Sequence, residues 1–467
     1  MPSAQARPKP VLRLDYCKAC GRCIGACVPG CISPGTEIDA ASGFVPVALH
    51  LDACNGCNLC VDACPEPYGL VTAAIAGSLA AAAERRPLQP GSPTVEEIPE
   101  VRLGLREGQP LIVKGTHASA IGALLAGCRY FFGYPITPST EGAELMAKLL
   151  PMLGGSFLQA VSEVAAVNMM YGCGAAGRRA MTFTSSPGFS LMVEGISYMI
   201  GAELPGVFVD VMRAGPGLGN IAPEQSDLKL ACRGLGHGST HAIVLAPATP
   251  QEMLDFTMLA FELSFRYRNP VVILADGHLG QMTSKVNLPR EIVRPGLPAW
   301  AVSGDAAHRK NLVSSIQLKE VDQEQHDLRL LEKYARIADA EQRADLFCAE
   351  GAEVLLVACT TPARMAKGAV RALRAEGIAA GLFRPQTIWP FPVKQLLPLL
   401  ERTRRIVVVE ASEGQLEDEL RLALSHAGVT DGIDLQHVRR MGGILPSQRE
   451  IVDAIRESRP SRKVVAV

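Results

Sequence analysis

The chain lacks an excess of charge of either sign, a long uninterrupted apolar run, and an internal repeat of short period. Its 46 Lys and Arg residues nearly balance 47 Asp and Glu, for a formal charge of −1 over 467 residues. That balance makes no broad electrostatic case for nucleic acid or an anionic membrane surface. The most apolar later stretch, Phe189 to Met212, is broken by Glu194, Glu203 and Asp210, which argues against a membrane span. Met1 to Asp15 holds no apolar run of the kind a secretory signal needs, so a soluble cytoplasmic protein is expected. Disulfide scaffolds belong to short secreted chains, and this one is long. What is present is apolar content of 48%, ample for several cores, and a length that suits about three domains.

Nine of the 14 cysteines lie in the first 64 residues, at ligand spacing. They read Cys17-x2-Cys20-x2-Cys23-x3-Cys27 and Cys54-x2-Cys57-x2-Cys60-x3-Cys64-Pro65. Three thiolates at two-residue gaps can wrap one cubane, and the distant fourth cysteine crosses to the other cluster. Cys17, Cys20, Cys23 and Cys64 are therefore expected to hold one 4Fe–4S centre, and Cys54, Cys57, Cys60 and Cys27 the second. Two zinc sites are the alternative, but zinc ligands usually come as two separated doublets. Cys27 is followed by Val28-Pro29 rather than directly by proline. Cys31 nearby is either a substitute ligand or a free buried thiol.

Residues 1–72 thus read as a two-cluster domain, and 73–108, rich in alanine and then in Pro, Gly and Ser, as a linker. A strand–helix rhythm runs through 109–290, which predicts a parallel α/β sheet. Thr249-Pro250-Gln251-Glu252 supplies N-cap, first-turn proline and capping-box glutamate for a long helix. Residues 291–350 read as a connecting segment containing a solvated charged helix. From 351 to 467 the rhythm returns as a smaller α/β domain.

The central stretch, Ser162 to Gly219, organises the rest. Ser162 reads as an N-cap for an apolar helix beginning at Glu163. Arg179 to Thr184 is a strand, Ser185-Ser186-Pro187-Gly188 a turn opening a helix at Phe189, and Gly206 to Met212 a strand with Arg213 at its end. Ligands gather outside the carboxyl ends of parallel strands. Ser185, Ser186, Arg213 and Tyr134-Pro135-Ile136-Thr137-Pro138 all fall at such ends. Glu163 could equally be a first-turn carboxylate satisfying the helix dipole, and the serines could be ordinary caps. His237, His241 and His278 read as structural.

Five segments resemble one family: GYPITPSTE (Gly133 to Glu141), SEVAAVNMMYG (Ser162 to Gly172), MRAGPGLGNIAPEQSDL (Met212 to Leu228), FRPQTIWPFP (Phe383 to Pro392) and RIVVVEASEGQLEDELR (Arg405 to Arg421). They resemble the α subunit of 2-oxoacid:ferredoxin oxidoreductases, and the cysteine-rich region resembles the family's δ subunit fused in front, itself like a bacterial two-cluster ferredoxin. The resemblance implies a thiamine-diphosphate pyrimidine-binding domain, a transketolase C-terminal-like domain and an α+β ferredoxin domain. It implies that Glu163 hydrogen-bonds the far nitrogen of thiamine's aminopyrimidine, which then acts as an internal base. It places Thr137 and Arg213 on the substrate carboxylate, a planar group that suits a guanidinium, and Pro135, Ile136, Ser185 and Ser186 on the cofactor. The Gly215 to Asn220 loop most resembles the branched-chain (2-oxoisovalerate) members; a 2-oxoglutarate enzyme is the alternative, and a non-catalytic electron-transfer or scaffold subunit the rival from another class.

Where the family reads Lys-Gly-Asn-Glu-Ala, this chain has Lys114-Gly115-Thr116-His117-Ala118. The Gly-Asp-Gly segment and downstream Asn that hold Mg2+ and diphosphate have no counterpart; Ala275-Asp276-Gly277 comes nearest. The resemblance therefore implies a β subunit carrying that half of the cofactor with its Mg2+, a separate γ subunit, coenzyme A and a 2-oxoacid as substrates, and an external ferredoxin or similar acceptor. The isolated polypeptide is expected to be inert.

Overall fold

The computed structural model describes residues 7–14, 17–39, 44–65, 69–73, 91, 94–97 and 110–457. The expected linker lies outside these except at 73, 91 and 94–97. The chain divides into two compact units, Met1–Pro87 with Ala147–Ser156 and Leu88–Met146 with Phe157–Val467.

In the first unit, β1 (Pro10–Leu12), β2 (Ile32–Pro34), β3 (Val47–Leu49) and β4 (Leu70–Thr72) form two antiparallel ribbons, β1 with β4 and β2 with β3. Two short helices, Arg22–Ala26 and Leu59–Ala63, each lie within a cysteine run and carry its third cysteine. Cys23 and Cys60 are buried on these helices and share a core with Ile32, Val47 and Leu70. So few apolar residues supply little burial energy, the condition under which small domains use disulfides, metals or association as staples.

The second unit contains β5 (Thr94–Glu97), β6 (Leu111–Lys114), β7 (Tyr130–Gly133), β8 (Ser156–Gln159, all but its first residue), β9 (Ala180–Thr184), β10 (Gly206–Met212), β11 (Ile243–Leu245), β12 (Pro270–Asp276), β13 (Thr283–Val286) and β14 (Glu291–Arg294). It continues with β15 (Ala344–Phe347), β16 (Val354–Val357), β17 (Ala380–Pro385), β18 (Thr387–Trp389), β19 (Arg405–Glu410) and β20 (Asp434–Arg439). A seven-stranded sheet has the order β18-β11-β12-β10-β9-β7-β8, and a five-stranded sheet the order β15-β17-β16-β19-β20. β7, β9, β10, β12 and β11 run parallel. β9, β10 and β12 are buried along their whole lengths. Strands covered on both faces need no polar alternation, which is why they read as continuous apolar runs.

The α/β class read from the sequence is observed. The Thr249 N-cap is present, its Oγ1 accepting from Glu252 N–H at 3.1 Å, but the Glu252 carboxylate reaches one residue past the N-cap and accepts from Ala248 N–H at 2.7 Å. Other expectations are corrected. Leu111–Lys114 is no member of the parallel sheet; it forms a separate two-stranded antiparallel pair with the distant β13. Part of the expected linker is a strand, β5, paired antiparallel with β14. The helix expected from Phe189 starts at Ser186 instead, because Pro187 is tolerated in a first turn. The charged helix, Glu320–Ala340, is solvated on one face only and buries His326, Leu330, Tyr334 and Ile337 on the other.

The two sheets share a strand boundary. β18, which follows β17 of the second sheet by a single residue, leaves it to pair antiparallel with β11 of the first. There Trp389 stacks on His241 with centroids 4.4 Å apart, and Tyr334 meets the same imidazole edge-on. Burial lowers the basicity of His241, so this histidine is a neutral packing element.

Candidate active site

The carboxyl rim of the first sheet gathers the residues singled out from the sequence. Ser162 caps the Glu163–Ala175 helix, its Oγ accepting from Ala165 N–H at 3.2 Å. The cap sets Glu163 at the first turn, where it is 5% exposed. No hydrogen bond or ion pair to Glu163 is formed among the described residues. Its carboxylate lies against the start of the Ser186–Gly201 helix. A Cβ on Gly188 would stand 2.5 Å from Glu163 Oε1 and 2.4 Å from Thr184 Oγ1, so glycine is what lets the carboxylate sit there. Thr184 Oγ1 and Ser185 Oγ are buried without partners. Ser185 makes no capping bond either. Polar atoms left unpaired in a buried place are costly unless something else satisfies them.

Arg213 is 9% exposed at the end of β10. One terminal nitrogen donates to Thr137 O at 2.8 Å and the other to Leu218 O at 3.3 Å, while Nε is buried without a partner. Arg213 and Thr137 are thus brought together, through the threonine's carbonyl, while Thr137 and Pro135 are exposed and Ile136 is half-buried. Ser186 is engaged within the chain. Its Oγ accepts from Arg213 N–H at 3.0 Å and donates to the Asp227 carboxylate. The Gly215 to Asn220 loop closes on itself, Asn220 N–H donating to Ala214 O at 3.1 Å. Gly219 has φ +51°, and a Cβ there would collide with Ala214 O.

Two braces hold this rim. Lys114 Nζ donates to Glu141 at 3.1 Å and to Gln281 Oε1 at 3.0 Å, and Gln281 Nε2 donates to Glu141 at 2.7 Å. These bonds fix the turn that carries Thr137. At the departure from the family pattern, Thr116 is fully buried and donates to Gly280 O at 3.3 Å. The second brace comes from the other sheet. Glu224 accepts from Gly215 N–H at 3.0 Å and from Gly442 N–H at 3.1 Å. Gln225, fully buried, reaches the carboxyl ends of β16 and β19. It donates to Cys359 O at 3.2 Å and Thr360 Oγ1 at 3.1 Å, and accepts from Ala411 N–H at 2.7 Å.

Asp276 is similarly engaged. It accepts from Thr361 N–H and Oγ1 and from the His278 and Leu279 amides, at 2.7 to 3.1 Å. Its carboxylate joins the two sheets and caps the Gly277–Gln281 helix. A separate cavity, lined by Arg179, Phe265, Trp300 and His308 among others, lies at the amino end of β9, away from the rim.

In the first unit Cys17, Cys20, Cys23 and Cys64 line one small cavity together with Leu12, Val47 and Leu70. Burial, and after it the neighbouring Cys64, Cys20 and Cys17 thiols, push Cys23 up to about 11. Binding metal there must therefore displace protons. Burial and then Cys27 and Cys54 raise Cys60, which groups Cys27 with the second run. Cys31 is buried beside this second set, its thiol raised by burial and by Cys27 and Cys54, and its N–H donates to Cys27 Sγ at 3.1 Å. Among the described residues no three His, Cys, Asp or Glu side chains converge as a single ion requires; sulfurs around a cubane stand farther apart than ligands around one zinc. The residues present fit a cluster.

The family model described as pyruvate flavodoxin/ferredoxin oxidoreductase, thiamine diphosphate-binding, matches residues 121–345, and that for pyruvate:ferredoxin oxidoreductase core domain II matches 352–451. The ketoisovalerate oxidoreductase subunit VorB of Methanothermobacter thermautotrophicus is 48% identical over 348 residues, covering 74% of this chain and 97% of that protein. This chain belongs to the 2-oxoacid:ferredoxin oxidoreductase family. The 2-oxoglutarate synthase subunit KorA of Archaeoglobus fulgidus is 38% identical, over 66% of this chain and 90% of that one. Among solved structures, the 2-oxoglutarate:ferredoxin oxidoreductase from Magnetococcus marinus, with 2-oxoglutarate, coenzyme A and succinyl-CoA bound, matches with TM-score 0.69 and 26% identity over 75% of this chain and 66% of that chain. The chain is thus a subunit of an oxidoreductase, its first sheet belongs to a thiamine diphosphate-binding domain, and it works with a partner subunit. Both family matches begin after the cysteine-rich region. Among the described residues no helix is long and apolar enough to cross a membrane.

Sequence reasoning missed Gly188, Glu224, Gln225, Asp210 and Asp227. Asp210 carried a signal, as the one charge in an otherwise apolar strand. The others are defined by contacts with distant segments.

Proposed function

We propose that this chain is a fused δ–α subunit that oxidatively decarboxylates a branched-chain 2-oxoacid, 2-oxoisovalerate above all, to acyl-CoA and CO2. Two 4Fe–4S clusters, held by the eight cysteines of the first unit, would supply the one-electron path to ferredoxin. The observation that carries the reading is the buried Glu163 carboxylate, unpartnered and pressed against Gly188. Thiamine diphosphate, when bound, supplies a carbon nucleophile and an electron sink for decarboxylation. Glu163 holds a proton with the far nitrogen of the aminopyrimidine, a role that suits a positioned carboxyl group screened from water. Pro135, Ile136 and Ser185 border the cofactor. Ser186 acts one step back, by holding Arg213. Arg213 and Thr137 orient the substrate carboxylate, a planar group that suits a guanidinium.

Cys17, Cys20, Cys23 and Cys64 hold one cluster, and Cys54, Cys57, Cys60 and Cys27 the other. Asp276 is fully engaged in joining the sheets, which fits a division in which a β subunit carries the diphosphate and its Mg2+. The segments forming the rim expose Tyr134, Val161, Val164, Leu191, Leu218 and Ile221, a surface suited to that subunit. A separate γ subunit completes the assembly. The branched-chain preference rests on the Gly215 to Asn220 loop together with the ketoisovalerate relative. An anaerobic panel of 2-oxoacids, scored by coenzyme A-dependent viologen reduction on the complex that co-purifies with this chain, tests it. Fastest turnover is expected with 2-oxoisovalerate. A preference for 2-oxoglutarate overturns the substrate assignment and keeps the chemistry, and no turnover with any 2-oxoacid overturns both.

A further inference from the structure

Behind Arg213 lies a pair of carboxyl groups that the reaction itself does not use. Asp210, on β10, is fully buried, and both of its oxygens lack a hydrogen-bond partner among ordinary donors. Asp227 is 6% exposed. The two carboxyl groups lie close enough for each to shift the other's titration. Two ionised carboxylates cannot share such a place; one must keep its proton and donate it to the other. Asp227 is the natural acceptor, because the Ser186 hydroxyl also donates to its Oδ2. Burial and then the Asp227 carboxylate favour the neutral form of Asp210, and they outweigh the Ser186 N–H, which favours the ionised form.

The hydroxyls tie this pair to Arg213. Arg213 N–H donates to Ser186 Oγ at 3.0 Å, and Ser226 Oγ donates to Arg213 O at 2.9 Å. Both main-chain groups of Arg213 thus hang from serines gathered around Asp227. The other charged groups on the packed elements face elsewhere. The Arg213 guanidinium faces Thr137 and Leu218, Glu163 faces Gly188, and Glu224 faces Gly215 and Gly442. Asp276 faces Thr361, and Arg233 pairs with Glu419 at 2.7 Å. No cation pairs with Asp210 or Asp227 among the described residues.

We propose that Asp210 and Asp227 share one proton, carried on Asp210, and that through Ser186 and Ser226 the pair positions Arg213 for the substrate carboxylate. The proposal rests on the reading of Arg213 as a substrate contact. A rise in pH that strips the proton leaves two facing anions, so positioning is present at neutral pH and lost on the alkaline side. The pair is a positioning device, and its failure shows mainly in KM.

The test uses the assembled complex in two measurements. Infrared difference spectra of wild type and Asp210→Asn at neutral pH should show a protonated-carboxyl band in wild type that the variant lacks. In kinetics, Asp210→Ala should raise KM for the 2-oxoacid by roughly tenfold, the scale of a misplaced charge-assisted contact, with a smaller change in kcat. Asp210→Asn, whose amide N–H replaces the acid O–H, should recover most of that loss and remove the alkaline limb of kcat/KM. A missing infrared band overturns the shared proton. An alkaline limb unchanged in Asp210→Asn overturns the link to Arg213. Arg213→Lys with unaltered KM, alongside an intact band, overturns the reading of Arg213 while the shared proton stands.

Discussion

At the carboxyl ends of β9 and β10 the chain leaves Thr184 Oγ1, Ser185 Oγ and Arg213 Nε without partners, whereas at the ends of β16 and β19 Gln225 reaches across and satisfies Cys359, Thr360 and Ala411. Both rims belong to parallel α/β sheets, and both are places where ligands gather in such folds. At the second rim Glu410 Oε1 is left over, on a carboxyl that burial raises towards its neutral form and whose other oxygen accepts from Ser412 and Leu416. The first rim is kept polar and unsatisfied, which is the condition for binding. The second is plugged by a side chain of the first and serves as its brace. The same architecture yields a site or a support according to whether the chain fills its own crevice.

Glu163→Gln should break the comparison most severely. It keeps shape and removes the proton-holding group, so turnover should fall by about 10²–10⁴-fold with assembly unchanged; steady-state viologen reduction checks this. Arg213→Lys retains charge and loses the planar fork, and kcat/KM should fall by roughly tenfold to a hundredfold, mostly through KM. Gln225→Leu removes the plug and strands the Ala411 N–H. Stability should drop by about 1–3 kcal/mol in denaturant titration, with activity falling less than in the rim variants. Thr361→Val should cost about 1 kcal/mol, since Asp276 keeps its other donors.

What could be read from sequence was what neighbouring residues decide. The β10 strand and the Thr249 cap stand where local pattern puts them. The helix that opens at Ser186 was read three residues late, because serine and proline signal a turn as readily as a first turn of helix. Leu111–Lys114 has the apolar look of a sheet strand, and only its partner Thr283–Val286 decides otherwise. The crossing of β18 into the first sheet, the Gln225 plug and the Asp210–Asp227 pair join residues that are far apart along the chain or separated by a loop. No local propensity encodes such meetings. Within the candidate site, Glu163, Thr137 and Arg213 were visible through family motifs, and Gly188 was hidden because its role is the space it leaves.

The most direct measurement is coenzyme A-dependent viologen reduction by the complex carrying Glu163→Gln, with cluster content verified by dithionite-reducible absorbance. The expected result is an assembled complex with clusters intact and 2-oxoacid turnover lost. Wild-type turnover from that complex contradicts the account, because the buried carboxylate at the rim would then be structural and the chain a carrier of electrons for chemistry performed elsewhere.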